Sequence, residues 1–212
     1  MEVAILIYDG LTTLDAVGPY EVLWRIPGAE VKFVALERGP KRDDNDGLSL
    51  VADHALDEVD RPEILLVPGG QAARQVMHDE PTLEWVRAVH EHSRWTTSVC
   101  TGSLILGGAG LLEGIRATTH WLSLPMLAEL GAEPTTDRVV EEGKIMMAAG
   151  VSSGIDMALT LAGRIAGERV AQAIQLSIEY DPQPPFDAGS PDKAPPEIVE
   201  ALRKRAKGKD PI

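Results

Sequence analysis

Cysteine is almost missing from this chain. With Cys100 the only one among 212 residues, no intrachain disulfide can form, which suits a reducing compartment. Aromatic residues make up only 4% of the sequence. Positive charge is scarce too. Twenty Lys and Arg stand against thirty-three Asp and Glu, a net charge of −13 that repels phosphate backbones and disfavours nucleic-acid binding. No run reaches the ~18 apolar residues of a membrane span, and the segment nearest to one, 96–112, is interrupted by Thr, Ser and Gly. The start, Met-Glu-Val-Ala-Ile-Leu-Ile-Tyr-Asp, lacks a basic leader and a cleavage site, so it reads as a first strand and not as a signal peptide. A soluble cytoplasmic domain with no membrane partner is expected. No Cys/His cluster with metal-ligand spacing exists, and His90 and His92, two apart on one helix, point to different sides.

What remains is patterned. Val3–Tyr8, Val31–Leu36, Leu48–Ala52, Ile64–Val67 and Trp95–Val99 read as strands. Helical segments follow at Leu14–Trp24, Thr82–His92, Leu122–Leu130, Ile155–Ala166 and Glu168–Tyr180. Pro19 is expected near the first turn of its helix, where its missing N–H costs nothing. Arg138–Met147 reads as two strands about a Glu-Gly turn, and Asp43–Gly47 as a solvated acidic turn. Alternating strands and helices predict an α/β fold with a largely parallel sheet covered on both faces. Residues 1–180 form the predicted α/β domain. Residues 181–212 form a Pro/Gly-rich arm and a final helix, Pro196–Lys207, packed on the same domain or on a dimer partner.

The chemistry concentrates at Trp95-Thr-Thr-Ser-Val-Cys100-Thr-Gly-Ser-Leu104. Only Cys100-Thr-Gly-Ser103 separates the strand from the following helix, so the chain must turn sharply there, the geometry of a nucleophile elbow. Gly102 permits close backbone approach, and Thr101 or Ser103 can cap the helix. Unpaired N–H groups at the helix start favour thiolate over thiol. A lone cysteine in an apolar run is otherwise an inert buried side chain; the strand–Cys–Thr–Gly–Ser–helix context is what argues for reactivity.

Ligands of open parallel sheets bind beyond the carboxyl ends of the strands. The loop after the first strand with Asp15, the turn Pro68-Gly69-Gly70, Cys100, His120 and the loop Gly150–Gly154 converge there. The N–H groups of Gly69, Gly70 and Thr101 are candidates for an anion-stabilising pocket. Asp15 is the carboxylate expected nearest Cys100, sharing a proton with it, or else a simple helix cap. His120 is either a general base for Cys100 or a hydrogen-bonded histidine at a strand end. Small apolar residues (Leu11, Ala16, Val151) suit an uncharged organic ligand.

Ser-Val-Cys100-Thr-Gly, with Val-Pro-Gly-Gly70 before it and Ala-Thr-Thr-His-Trp121 after it, resembles the ThiJ/PfpI superfamily of flavodoxin-like cysteine proteins. Within it the chain is similar to the isocyanide (isonitrile) hydratase branch. The stretch Thr97–Trp121, the segment Ser153–Leu161 and the arm Glu179-Tyr-Asp-Pro-Gln-Pro-Pro-Phe-Asp-Ala-Gly-Ser-Pro191 carry that likeness. The resemblance implies a flavodoxin-like three-layer sandwich and a homodimer without a cofactor. It makes Cys100 the nucleophile, Asp15 its acid/base partner and Thr101 a further catalytic residue, with Gly69, Gly70, Val151 and His120 around the pocket. It implies hydration of an isocyanide to an N-formamide through a Cys100 thioimidate. A cysteine-based redox sensor or a glyoxalase-like enzyme of the same superfamily is the alternative. The turn Lys41–Gly47 is longer and more acidic than the family pattern.

Overall fold

The structure, a computed structural model, describes residues 1–208; residues 209–212, the end of the predicted C-terminal segment, lie outside the described residues. The chain separates into two units, Met1–Ile178 and the segment from Glu179 onward.

In the first unit the elements run β1 (Glu2–Leu6), α1 (Thr13–Leu23), β2 (Glu30–Ala35), β3 (Gly39–Arg42), β4 (Ser49–Ala52), β5 (His54–Ala55) and β6 (Ile64–Val67). Next come α2 (Ala73–Val76), α3 (Glu80–His92), β7 (Trp95–Val99), α4 (Gly102–Gly108), β8 (Arg116–Ala117), α5 (Leu124–Glu129) and β9 (Glu133–Pro134). β10 (Val139–Glu142), β11 (Ile145–Ala148), α6 (Ser153–Ala166) and α7 (Glu168–Ser177) complete it. The second unit holds the irregular arm and α8 (Pro196–Lys207).

Seven strands form the main sheet in the order β10-β11-β7-β6-β1-β2-β5, all neighbours parallel except β10 and β11. The fold is therefore the expected α/β class. Strand side chains alternate cleanly between two cores. Ala4, Leu6, Leu65 and Val67 pack on one face, under α3 and α4, with Leu83, Val86 and Leu104. Val3, Ile5, Ile7, Ile64 and Leu66 pack on the other with Val22 of α1 and Met157 and Leu161 of α6. Each fully buried Val, Leu or Ile contributes about 1.5–3 kcal/mol. This is why Val3–Leu6 of β1 and all of β6 are continuous apolar runs, with no polar face to present.

From β1 the chain steps to β2 and β5 on one side, then returns to β6, β7 and β11 on the other. The switch point, between β1 and β6, opens a crevice at the carboxyl ends of those strands. The loops after β1, β6 and β7 all meet there.

Several sequence expectations change. Pro19 sits well inside α1, where it cannot donate to the Asp15 carbonyl; its buried ring instead packs where Gly154 leaves room on α6. Gly39-Pro40 begins β3, which pairs antiparallel with β4 in a hairpin outside the main sheet, an edge position that tolerates proline. The turn at the tip of this hairpin is not simply solvated. Asp43 is buried and its Oδ1 accepts from the Gly47 and Leu48 N–H groups, while Leu11 bridges Asp43. Arg116–Ala117 is a two-residue strand, β8, that pairs with β9 away from the main sheet. Trp24 is exposed, and α7 ends at Ser177. His90 is held by the Thr96 hydroxyl (2.8 Å), and His92 is exposed. Among the described residues no helix is long and apolar enough to cross a membrane.

Candidate active site

Cys100 has the left-handed backbone expected of an elbow, with φ of 57°. Strain of this kind costs about 1–3 kcal/mol and persists only where the surroundings enforce it. They do so here. The Cys100 N–H donates to the Ala149 carbonyl (2.8 Å), and the Cys100 carbonyl accepts from the Thr119 hydroxyl (3.0 Å) and the Ser103 hydroxyl (3.2 Å). Gly102 is required by packing, since a Cβ there would stand 2.0 Å from the Val67 carbonyl oxygen. Thr101 and Ser103 do not cap α4, as the sequence suggested. The Ser103 hydroxyl is spent on Cys100. The Thr101 hydroxyl donates to the Gly70 carbonyl (3.0 Å) and accepts from the Gly70 N–H (2.9 Å), clasping the elbow to the turn after β6.

Asp15 is fully buried in the first turn of α1. Its Oδ2 accepts from the Gly69 N–H at 3.0 Å. Its Oδ1 has no partner of full hydrogen-bond geometry among the described residues, and the carboxyl's other stabilising contact is the Cys100 thiol. Of the two sequence readings of Asp15, cap or cysteine neighbour, the structure therefore shows the second.

Burial pushes the Asp15 carboxyl up to about 7, against the Gly69 and Cys100 hydrogen bonds and with the help of the Asp44 charge. Burial, then the Asp15 charge, pushes the Cys100 thiol up to about 12. The backbone N–H groups of Thr101 and Val151 and the Thr101 hydroxyl oppose this without overcoming it. The expectation of a resting thiolate is thus corrected. Cys100 is 5% exposed, and the start of the seven-residue α4 does not offset desolvation beside a carboxylate. At neutral pH the sulfur therefore holds its proton beside the Asp15 carboxyl.

The structure brings Cys100, Asp15, Thr101, Gly69, Gly70 and Val151 together. The Gly69 and Gly70 N–H groups are not open to a ligand, being taken by Asp15 and Thr101; the N–H groups turned to the sulfur are those of Thr101 and Val151. His120 lies against Gly150, whose added Cβ would stand 3.1 Å from the ring, and its Nδ1 accepts from the Leu122 N–H (3.4 Å). Burial and then Arg74 hold its basicity down, and it is not among the groups acting on Cys100. Leu11 and Ala16 are fully buried core residues and do not line an open pocket. A cavity of about 510 Å³ borders the site at Tyr8, but neither Cys100 nor Asp15 lines it.

Sequence reasoning missed three residues. The buried Tyr8 hydroxyl donates to the Pro68 carbonyl (2.8 Å), and burial first, then the Asp15, Cys100 and Asp44 charges, holds its proton on. Its place at the carboxyl end of β1 was the available signal. Thr119, beside His120, holds the Cys100 carbonyl. Asp44 reaches the site from the hairpin turn and left no trace in the local sequence.

A parallel sheet whose switch point carries a strained elbow cysteine beside a buried carboxylate defines a class of α/β proteins. The chain belongs to the DJ-1/PfpI family, which it matches over residues 1–164. It is 43% identical over 206 residues to isonitrile hydratase of Pseudomonas putida, covering 97% of this chain and 90% of that one. It also superimposes on the crystal structure of a ThiJ/PfpI family protein from Pseudomonas syringae with a TM-score of 0.94 at 36% identity, over 97% of this chain and 86% of that one. Drosophila melanogaster DJ-1beta, 18% identical over 84% of this chain and 97% of that one with a TM-score of 0.77, shares the fold.

Proposed function

We propose that this protein hydrates isocyanides to N-formamides. The observation that carries this reading is the buried Cys100–Asp15 pair, in a chain similar over nearly its whole length to an isonitrile hydratase. An isocyanide carbon accepts a soft sulfur nucleophile. Asp15 takes the thiol proton as sulfur attacks, then delivers it to the former isocyanide carbon, giving a thioimidate, R–N=CH–S–Cys100. Asp15 next takes a proton from water as the hydroxyl adds to that carbon, and hands that proton to the nitrogen. The carbon–sulfur bond then breaks, the hydroxyl proton returns through Asp15 to sulfur, and R–NH–CHO leaves. The sum is one water added per isocyanide, with no electron transferred and no cofactor used.

A carboxyl near 7 suits both halves of this cycle, since it both accepts and gives protons at neutral pH. The N–H groups of Thr101 and Val151 stabilise sulfur as it gains charge. A glyoxalase-like route would use His120 as base, and the Leu122 bond already occupies its Nδ1. The reading takes the protein as a cytoplasmic homodimer, with the arm from residue 181 packed on its own domain or on the partner.

The test is N-formyl product from a simple aryl or alkyl isocyanide, comparing wild type, Cys100→Ala and Asp15→Asn. Turnover in wild type lost in both variants supports the pair. Absence of turnover with a wild-type thiol that is intact and alkylatable sinks the hydratase reading and points to redox sensing.

A further inference from the structure

The turn between β3 and β4 is bound to the loop that carries Asp15. The Gly10 N–H donates to the Arg42 carbonyl (2.8 Å), the Arg42 N–H to Asp9 Oδ1 (2.8 Å) and the Asp44 N–H to the Leu11 carbonyl (2.9 Å). Thr12 stands at the start of α1, where a threonine hydroxyl ordinarily caps the helix. Here it makes no cap. It donates instead to Asp44 Oδ2 at 2.6 Å, while the Thr12 N–H donates to the Gly69 carbonyl (2.9 Å) and its carbonyl accepts from the Asp15 N–H (3.0 Å). Thr12 therefore touches Asp44, the β6 turn and Asp15 at once.

We propose that Asp44 is a positioning residue for the Cys100–Asp15 pair: clamped by the Thr12 hydroxyl onto the Asp15 loop, its negative charge favours transfer of the thiol proton from Cys100 to Asp15. The inference rests on the hydratase reading, in which Asp15 takes the Cys100 proton and passes it to the isocyanide carbon. Asp44 is one of the groups raising Asp15, and it acts on Tyr8 in the same direction. Among the described residues, no Lys, Arg or His is among the groups acting on Asp15. Cys100 faces it from the elbow and Tyr8 from the end of β1, both protonated at neutral pH. On α1 itself Glu21 is paired with Arg25. On α6, which packs against α1, Asp156 pairs with Arg138 and Arg164 with Glu141. Arg42, on the hairpin, gives its guanidinium to the Asp46 carbonyl (3.0 Å), and Arg74 of α2 reaches the Ser123 hydroxyl (3.2 Å).

The experiment is the pH dependence of Cys100 alkylation by iodoacetamide in the full-length protein. This uncharged probe needs no isocyanide turnover, and its approach is indifferent to a removed charge. In wild type the rate rises to an inflection near 7, as the pair gives up its first proton. Asp44→Asn keeps an acceptor for Thr12 and removes the charge; it moves the inflection down by about half a pH unit or more. Thr12→Val, which releases the clamp, moves it down by a smaller step. Asp44→Glu keeps the wild-type position, and so does Asp46→Asn, which removes equal charge from the same turn without touching Thr12. An inflection that stays within about 0.1 unit of wild type in both Asp44→Asn and Thr12→Val overturns the proposal, as does an equal shift in Asp46→Asn. If the shifts occur but wild type fails to hydrate isocyanides, the hydratase reading falls alone.

Discussion

The Thr101 hydroxyl both donates to the Gly70 carbonyl and accepts from the Gly70 N–H, at 3.0 and 2.9 Å. One side chain thus satisfies both backbone groups of a buried glycine in the turn after β6, and locks that turn to the residue following Cys100. Because Gly69, next in that turn, hydrogen-bonds Asp15, the clasp also fixes the carboxylate against the sulfur.

Thr101→Val removes both bonds and leaves the buried Gly70 N–H unpaired, while the Gly70 carbonyl keeps the Ala73 N–H (3.2 Å). One such orphaned group costs about 1–3 kcal/mol, so a loss of stability of roughly that size is expected in urea unfolding. A fall in isocyanide turnover of about tenfold or more accompanies it, since misplacement of reacting groups is costly. Thr101→Ser retains most of both. A Ser variant as damaged as the Val variant would show that the methyl group, and not the hydroxyl, holds the turn.

Asp15→Asn should abolish hydration and yet stabilise the fold at neutral pH. The native state keeps Asp15 protonated up to about 7, whereas the unfolded chain ionises it near 3.8. Between these values the native state binds more protons, so wild-type stability falls as pH rises through that window and stays lower above it. Asparagine removes the penalty, worth a few kcal/mol at most at about 1.4 per pH unit of displacement. Melting temperatures at pH 4 and pH 8 check this: the gain should be present at pH 8 and nearly gone at pH 4.

Gly102→Ala forces a Cβ to within 2.0 Å of the Val67 carbonyl oxygen. Backbone cannot yield there as a flexible side chain would, because Val67 is the buried last residue of β6. A loss of about 3 kcal/mol or more, or failure to fold, is expected. Near-wild-type melting would mean that the elbow and the β6 turn separate easily.

His120→Ala should reduce isocyanide hydration by less than about tenfold, because no group acting on the sulfur comes from that ring. Loss of all turnover, with the fold intact by circular dichroism, would return the general-base role to His120.

The local sequence foretold much. The continuous apolar run at Ile64–Val67 announced a strand covered on both faces, because a strand with no polar side can only be interior. The four residues between strand and helix at Cys100 announced the elbow, because so short a connection leaves the backbone few routes. The Glu-Gly turn at 142–143 announced the β10–β11 hairpin. In each case the signal lies within a few bonds of its consequence.

The tertiary structure decided the rest. Local sequence favours Asp43–Gly47 as a solvated turn; folding the hairpin onto the β1 loop turns the Thr12 hydroxyl to Asp44 and brings that charge to Asp15. Helix-start chemistry favours a thiolate at Cys100, and burial beside Asp15 reverses it. A sequence thus fixes which residues are apolar, which are small and where the chain must bend. The protonation of the pair depends on desolvation and on charges far apart in the chain, and these exist only once the sheet has closed around them.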